Sequence, residues 1–245
     1  MKQLLFWPYQ LYFWLILMPL LGILTLIFSA LTVIFSSLVN PEFASRVFAR
    51  TWARLMAWLT PVMVTVDGGD NAQRGRSYVV VCNHQSVYDI LVIYGWLELD
   101  LKWVLKQELR KVPGIGIGCE KAGHIFVDRR NSQLAKKSIQ EALARLGKGV
   151  GILFFAEGTR SRDGVLLPFK KGAFRTAIEQ QLPVLPVTVV GTRELMAAGA
   201  LTAFPGRARL VIHPAIETQG MTSEHLDGLI MNTRNSISSV LPGKA

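Results

Sequence analysis

The first forty residues constrain the fold of this chain more than any other part of it. No charged side chain occurs between Lys2 and Glu42, and residues 15–39 are almost continuously apolar. At about 1.5 Å rise per residue, a helix of this length can cross a hydrocarbon core of about 30 Å. The stretch is too long and too aromatic for a cleaved signal peptide. The sequence therefore predicts a retained membrane anchor.

Two features leave the form of this anchor open. Aromatic side chains crowd between residues 6 and 14, as is typical of a membrane–water interface. Pro8 and Pro19 would kink or divide a helix. Two short helices that enter one leaflet are therefore an alternative to a single span.

A basic amphipathic pattern follows the apolar stretch. Arg46, Arg50 and Arg54 recur every four residues, which is typical of a helix that binds anionic headgroups. A surface helix packed on the next domain has the same periodicity. Arginines close behind an apolar segment also indicate that the following domain faces the cytoplasm. We predict membrane-attachment helices over residues 1–60 and a globular domain over residues 61–245.

The globular part has the pattern of an α/β domain. Short β-branched runs alternate with helical stretches at 132–146, 172–181 and 222–240, with Ser132 as a possible cap of the first. This alternation predicts a mixed, largely parallel twisted sheet flanked by helices. The predicted strands are 62–67, 78–82, 102–105, 124–128, 150–155, 184–190 and 208–213.

Charge and cysteine content exclude several classes of function. The net charge is +10, and the basic excess lies between Lys102 and Arg175, a field that suits anionic lipid or a phosphorylated substrate. Binding of nucleic acid by such a field would be nonspecific. The chain has two cysteines and four scattered histidines, which predicts neither a disulfide framework nor a metal site.

The motif Asn83-His84-Gln85-Ser86-Val87-Tyr88-Asp89 directly follows a predicted strand. A histidine at a strand end, with a carboxylate five residues later, can form a general base with an orienting partner. Ser86 and Asp89 also fit a simple helix cap. The motif alone leaves both interpretations open.

Three further segments carry candidate site residues. A strand ends in Asp128-Arg129, and a guanidinium matches the geometry of phosphate oxygens. The run Phe155-Ala156-Glu157-Gly158-Thr159-Arg160 follows an apolar strand, and its glycine permits a tight turn. The apolar segment Leu182–Val187 contains prolines and is typical of a site-lining or core strand.

In this order and with this spacing, the four segments resemble the glycerolipid acyltransferase family, most closely its bacterial 1-acylglycerol-3-phosphate acyltransferases. The resemblance covers about residues 60–215 and includes Lys106-Gln107-Glu108-Leu109 with Pro113 and Gly116. It implies that residues 61–245 are a catalytic domain on the cytoplasmic membrane, facing the cytoplasm. The implied reaction moves a fatty acyl group from acyl-CoA or acyl-carrier protein to the sn-2 hydroxyl of lysophosphatidic acid, giving phosphatidic acid, without a cofactor.

The resemblance also implies roles for individual residues. His84 would be the general base and Asp89 its orienter. Lys106 or backbone amides near Gly158 would stabilise negative charge that develops on the acyl carbonyl. The phosphoglycerol part of the acceptor would contact Arg129, Glu157, Gly158, Thr159 and Arg160.

Three alternatives accompany this interpretation. The same chemistry could act on another lysolipid acceptor. A hydrolase could use Ser86 or Cys82 as its nucleophile, although no G-x-S-x-G elbow occurs in the sequence. A protein without enzymatic activity that binds anionic lipid would explain the basic charge but not the joint presence of the motifs.

Overall fold

A computed structural model describes residues 6–128, 130–144 and 147–241 of the chain. Its centre is a sheet of seven strands in the order β1-β7-β6-β2-β5-β3-β4. Only the β6–β7 pair is antiparallel among the described strand pairs. The strands are β1 (Val62–Asp67), β2 (Tyr78–Cys82), β3 (Asp100–Lys106), β4 (Ile125–Val127), β5 (Val150–Phe155), β6 (Val184–Val190) and β7 (Gly206–Ile212).

The predicted fold class is confirmed, and each predicted strand lies within about two residues of a described one. Strand β2 lies at the centre of the sheet, with β5 on one side and β6 on the other, and all five of its residues are buried. Such a strand is apolar on both faces because helices cover both sides of a parallel sheet. The parallel register aligns Cys82 with Phe155, so β2 and β5 end at the same edge.

Helices pack on both faces of the sheet. One face is covered mainly by α4 (Arg50–Leu59) and α5 (Tyr88–Trp96), and the other by α7 (Ser132–Leu143), α8 (Gly172–Gln180) and α10 (Leu226–Ser238). The other α-helices among the described residues are α1 (Phe6–Tyr12), α2 (Met18–Leu38), α3 (Pro41–Ala44), α6 (Ile115–Lys121) and the single turn α9 (Thr192–Leu195).

The long N-terminal helix (Phe6–Leu38) comprises α1, a π-helical turn and α2. Pro19 does not divide it. The turn at Phe13–Leu17 is widened, with the Met18 N–H donating to the Phe13 carbonyl, which accommodates the ring that would clash with a regular helical carbonyl. Within the described part of the chain, this is the one helix long and apolar enough to cross a membrane, and most of its apolar residues are exposed.

The basic helix after Pro41 packs on the α/β domain. Ala53 and Ala57 of α4 are fully buried against α5. Arg54 Nε donates to the Gly95 carbonyl at 2.8 Å, and Arg50 donates to the Leu99 carbonyl at 3.3 Å. Arg54 thus satisfies a carbonyl in the last turn of α5, and Arg50 satisfies one in the connection between α5 and β3. The structure therefore favours the packed surface helix over a helix dedicated to headgroups, while the domain boundary at residue 60 stays a prediction.

One predicted helix cap is wrong. The N-cap position of α7 is Asn131, and its side chain accepts hydrogen bonds from the backbone N–H groups of Gln133 and Leu134, both at 3.1 Å. Asparagine is as good a cap as serine. The cap therefore lies one residue earlier than the prediction, and the described helix ends at Leu143.

Candidate active site

The loop after β2 is held by the buried side chain of Asn83. Its Nδ2 donates to the Val189 carbonyl at 2.9 Å, and its Oδ1 accepts from the Val189 N–H at 2.8 Å. These two bonds replace a backbone pair between the loop and β6. Asn83 thereby fixes the position from which the next residue, His84, leaves the sheet.

His84 and Asp89 form a hydrogen-bonded pair. His84 Nδ1 lies 2.7 Å from Asp89 Oδ2, and the carboxylate is fully buried at the start of α5. A carboxylate oxygen accepts hydrogen bonds, so in the neutral imidazole this contact places the proton on Nδ1 and leaves a lone pair on Nε2. The pair proposed from the sequence is therefore brought together.

Three other donors hold the Asp89 carboxylate. Oδ2 accepts from the backbone N–H groups of Gln85 at 2.7 Å and Ser86 at 2.9 Å, while Oδ1 accepts from Thr192 Oγ1 at 2.5 Å. Asp89 thus organises the loop before α5 and orients His84 with the same group. The cap and base-orienter interpretations of the motif are compatible.

The His84 ring lies on Phe155, with ring centroids 3.7 Å apart and an interplanar angle of 10°. Its side chain is 14% exposed, so the imidazole is reachable from solvent. Nε2 forms no hydrogen bond with any residue that the structure describes. The ring is therefore fixed by stacking on one face and by Asp89 at one nitrogen, and it presents the other nitrogen to a ligand.

Glu157 lies behind this site. Its carboxylate is buried and accepts from the backbone N–H groups of His84 and Leu167, each at 2.8 Å. Burial raises the pKa of the Glu157 carboxyl, while the hydrogen bonds from Leu167 and His84 oppose that rise. The geometry favours a positioning role, and the predicted contact of Glu157 with substrate stays a prediction.

The turn after Glu157 brings Thr159 and Arg160 to the surface beside His84. Gly158 has a positive φ of 73°, which glycine adopts without strain. The Ser161 N–H donates to the His84 carbonyl at 2.8 Å. Arg160 therefore precedes a residue tied directly to the His84 backbone, and both Thr159 and Arg160 are exposed.

The remaining predicted residues lie at the same edge or outside the described residues. Lys106 ends β3, which neighbours β5, and its exposed ammonium group lies 3.3 Å from Glu108. Arg129 lies outside the described residues. The structure therefore places His84, Asp89, the 157–160 turn and Lys106 at the carboxyl ends of adjacent parallel strands, where such folds build their sites.

Two nucleophiles considered for a hydrolase are unsuitable in this structure. Ser86 Oγ is buried and donates to the Met196 carbonyl at 2.6 Å. Cys82 is fully buried, and burial raises the pKa of its thiol well above the usual value. Neither group is available for attack on a substrate at the edge of the sheet.

Thr192 is the site residue that sequence reasoning missed. It is fully buried and begins α9, directly after Gly191, whose φ of 86° turns the chain at the end of β6. Its position, immediately after an apolar strand and a glycine, is the signal that could have indicated it. Among the described residues, no cluster of three or more His, Cys, Asp or Glu side chains could hold a metal ion.

Comparisons with known proteins are consistent with this geometry. The model of the acyltransferase family matches residues 63–190, and His84, Asp89 and the 157–160 turn fall within that range. A solved structure from Thermotoga maritima, of the 1-acyl-sn-glycerophosphate (LPA) acyltransferase PlsC, has a TM-score of 0.79 and 30% sequence identity. The similarity covers 98% of this chain and 95% of that one.

Curated relatives are similar over a shorter range. The mouse 1-acyl-sn-glycerol-3-phosphate acyltransferase alpha is 31% identical over 185 residues, which is 75% of this chain and 65% of the mouse protein. A 1-acyl-sn-glycerol-3-phosphate acyltransferase from Chlamydomonas reinhardtii is 33% identical over 181 residues, covering 73% of this chain and 53% of that protein. The chain thus spans just under two thirds of the mouse protein and about half of the algal one. The family match extends over more than half of the chain, which therefore belongs to the acyltransferase family.

Proposed function

We propose that this protein transfers a fatty acyl group from an acyl thioester to the sn-2 hydroxyl of 1-acyl-sn-glycerol 3-phosphate, giving phosphatidic acid. The observation that carries the proposal is the 2.7 Å contact between His84 Nδ1 and Asp89 Oδ2, with Nε2 open to a ligand. The names of the relatives supply the substrate class. The thioester is acyl-CoA or acyl-carrier protein.

In the proposed mechanism His84 acts as general base. Nε2 takes the proton of the acceptor hydroxyl while the hydroxyl oxygen attacks the thioester carbonyl. Collapse of the tetrahedral intermediate breaks the C–S bond, and the departing thiolate takes the proton back from Nε2. Asp89 stabilises the imidazolium that exists between these two transfers. A thioester is already activated, so no acyl-enzyme, metal or cofactor is required.

The charged rim of the site would position the acceptor. Arg160, with Arg129, is proposed to bind the phosphate of the lysolipid. Binding the phosphate at a fixed place would keep the acceptor hydroxyl close to His84. Lys106 is proposed to stabilise negative charge on the acyl carbonyl oxygen. The Gly158 N–H already donates to the Phe155 carbonyl at 3.0 Å, which makes Lys106 the better candidate.

We propose that the N-terminal helix attaches the protein to the membrane and lies in one leaflet, a proposal supported by its length and apolar composition. Near one end Gln10 binds the backbone of Ala203, and 19 residues later Ser29 binds the Gly114 carbonyl. These positions are about 28 Å apart along a helix, nearly the thickness of the hydrocarbon core. A helix that crossed the bilayer would carry parts of the catalytic domain to both sides. The domain is proposed to face the cytoplasm.

The decisive experiment replaces the proposed base. We expect His84→Ala to lower kcat by about 10²–10⁴-fold, because the hydroxyl loses its proton acceptor. Purified protein is incubated with acyl-CoA or acyl-carrier protein and a panel of lysolipids, and products are identified by mass spectrometry. His225→Ala, which removes an exposed histidine on the 3₁₀ turn before α10, is the matched control.

Two results would contradict the proposal. Undiminished phosphatidic acid formation by His84→Ala would exclude His84 as the base. A wild-type protein that binds anionic vesicles but acylates none of the acceptors would instead support a binding protein without enzymatic activity. Acylation of a different lysolipid would keep the mechanism and replace the acceptor.

A further inference from the structure

One segment that contributes to the family resemblance has no role in the proposed mechanism apart from the neighbouring Lys106. This segment, residues 107–121, connects β3 to β4 and has the sequence QELRKVPGIGIGCEK. It consists of a 3₁₀ turn at Gln107–Lys111 followed by the short helix α6. Most of its residues are exposed, although six of the 15 are apolar or cysteine, namely Leu109, Val112, Pro113, Ile115, Ile117 and Cys119. Exposed apolar side chains that lie close together on a surface are typical of sites that bind another molecule or a membrane.

The segment is packed directly on the N-terminal helix. Ser29 Oγ donates to the Gly114 carbonyl at 2.5 Å. A Cβ added at Gly118 would lie 2.6 Å from Ser29 Oγ, and one added at Gly114 would lie 2.7 Å from Leu26 Cδ2. Gly114 also has a positive φ of 75°. The glycines therefore allow the segment to approach the helix more closely than any other residue would.

The exposed apolar surface continues from the helix onto the segment. Leu26 of the N-terminal helix is 53% exposed and lies next to Gly114. Ile117 of α6 is 54% exposed. The other exposed apolar side chains of the segment are Leu109, Val112 and Ile115. Because the two elements are in contact, a medium that covers Leu26 also reaches α6.

Cations flank the apolar side chains. Lys111 and Lys121 are exposed and form no ion pair with a described residue, whereas Arg110 lies 3.5 Å from Glu120. Counting Glu108 and Glu120 against Arg110, Lys111 and Lys121, the segment has a net positive charge. Apolar residues bordered by Lys and Arg are typical of elements at the surface of an anionic bilayer.

We propose that residues 107–121 form a second lipid-contacting surface beside the N-terminal helix. The side chains of Leu109, Val112, Ile115 and Ile117 enter the acyl boundary of the bilayer, and Lys111 and Lys121 contact anionic headgroups. This inference rests on the proposed membrane attachment and not on the proposed catalysis.

Continuity with the N-terminal helix favours lipid over a protein partner. The exposed row of that helix includes Ile23 and Ile27, both about half exposed, and a helix so apolar requires hydrocarbon around it. A protein bound to residues 107–121 would have to cover that helix as well. A lipid bilayer would cover both residues 107–121 and the N-terminal helix, and no additional protein is needed.

The placement has a consequence for the reaction. The segment begins directly after Lys106 and ends shortly before β4, so it links two strands of the sheet edge that bears the site. With this segment in the bilayer surface, the mouth of the site would stay at the depth of the lysolipid headgroup. A lipid acceptor would then reach His84 without leaving the membrane.

Depth-dependent fluorescence quenching tests this directly. An environment-sensitive fluorophore is attached to the full chain at Ile117→Cys, and the protein is bound to vesicles of anionic phospholipid that contain lipids brominated at known depths. Leu134→Cys on α7 is the matched control, since Leu134 is 53% exposed and lies on the other side of the sheet. Unsubstituted protein, with Cys82 buried and Cys119 partly buried, gives the background of labelling.

Quenching at position 117 by shallow bromines, with none at position 134, is the expected result. A third label, at Ile23→Cys, separates the two proposals. If it is quenched and position 117 is not, the second surface is excluded while the anchor stands. If neither is quenched, the membrane attachment itself fails. Equal quenching at positions 117 and 134 would overturn the inference as well.

A kinetic test gives an independent readout. We expect Ile117→Glu to lower kcat/KM by about tenfold for a lysolipid presented in anionic vesicles, because a charge at this depth opposes insertion. A short-chain acceptor dissolved as monomers should be used at the wild-type rate. An equal loss with both acceptors would show damage to the fold and contradict the proposal, as would an equal loss in Leu134→Glu with the vesicle acceptor.

Discussion

At the scale of single residues, the orientation of His84 depends on how completely the Asp89 carboxylate is held. Four described donors contact this carboxylate, and one of them, His84, is the proposed base. The two backbone donors follow from local chain geometry. Among the residues that the structure describes, Thr192 is the one side chain that reaches Asp89 from a distant part of the sequence.

Thr192→Val should therefore weaken catalysis without weakening binding. Loss of one hydrogen bond to a charged group costs about 1.5–3 kcal/mol, and Asp89 then orients the imidazole less well. We expect kcat to fall by about tenfold with KM for the acceptor nearly unchanged. Thr192→Ser keeps the hydroxyl and should restore most of kcat in steady-state assays. Equal losses in Val and Ser variants would show that the methyl group, and not the hydrogen bond, matters.

His124 should make the folded state sensitive to acid. Burial and the neighbouring Lys102 ammonium lower the pKa of His124 to about 3. The neutral ring accepts from the Trp103 N–H at Nδ1 and contacts the Tyr94 hydroxyl at Nε2. Below pH 6.5 the unfolded chain binds a proton here that the folded chain does not, so stability is lost as the pH falls from about 6.5 to about 3.

The measurement compares wild type with His124→Gln by denaturant unfolding in detergent at pH 6.5 and 4.5. Wild type should lose about 2–3 kcal/mol more than the variant over this interval, at about 1.4 kcal/mol per pH unit. Burial also raises the pKa of Asp100 and Glu157, but both proteins share these groups. His225→Gln, at an exposed position, should behave as wild type. Parallel pH curves for wild type and His124→Gln would contradict the assignment.

At the scale of elements, helix α10 supports the site through a chain of hydrogen bonds. Arg234 donates to the carbonyls of Leu166 at 2.7 Å and Leu167 at 2.6 Å. The Leu167 N–H donates to one oxygen of Glu157, whose other oxygen accepts from the His84 N–H. The last helix of the chain is thereby connected to the backbone of the proposed base.

Arg234→Met should therefore lower kcat, by about tenfold, although the residue is proposed to touch no substrate. Arg234→Lys can satisfy one of the two carbonyls and should recover part of the loss. Arg209→Met removes an exposed guanidinium whose ion pair with Asp67 spans 3.3 Å, and it should be nearly neutral. A change in acceptor KM alone would indicate that Arg234 binds substrate instead.

The elements themselves were largely predictable from the sequence, and the reasons are local. Strand β2 has an uninterrupted apolar run, and α8 and α10 have clear helical periodicity. What the sequence did not indicate is long-range pairing of polar groups. Asn83 with Val189 and Thr192 with Asp89 join residues more than 100 positions apart, and no local pattern encodes such contacts. The sequence also did not indicate that the Glu157 side chain is buried, while the nearby Thr159 and Arg160 are exposed.

At the scale of the whole molecule, the N-terminal helix and the α/β domain are joined by specific contacts. Gln10 Nε2 donates to the Ala203 carbonyl at 2.7 Å, and Gln10 Oε1 accepts from the Ala203 N–H at 3.2 Å. Trp14 Nε1 donates to the Leu201 carbonyl at 2.8 Å. The sequence predicts only a hydrophobic anchor here, but the structure shows that this helix binds at a specific place, the loop after α9.

Gln10→Leu should destabilise the whole protein. The substitution leaves both backbone groups of Ala203 without partners in a buried place, which costs about 2 kcal/mol. We expect the Tm in detergent micelles to fall by about 4–8 °C. Gln180→Leu, at an exposed position at the end of α8, should change the Tm by less than about 2 °C. Equal Tm values for Gln10→Leu and wild type would show that the helix is tethered only by its covalent link.

The packing of α4 bears on how this protein can be obtained without its long N-terminal helix. Ala53 and Ala57 fill the core beneath α5, and Arg54 closes the end of that helix. A shortened chain starting at residue 61 would open this core to water and aggregate. A chain that begins at Asn40 keeps the residues that line this core. It also keeps Asn40 itself, which caps the helical segment that follows, and it is therefore the better starting point for a soluble form.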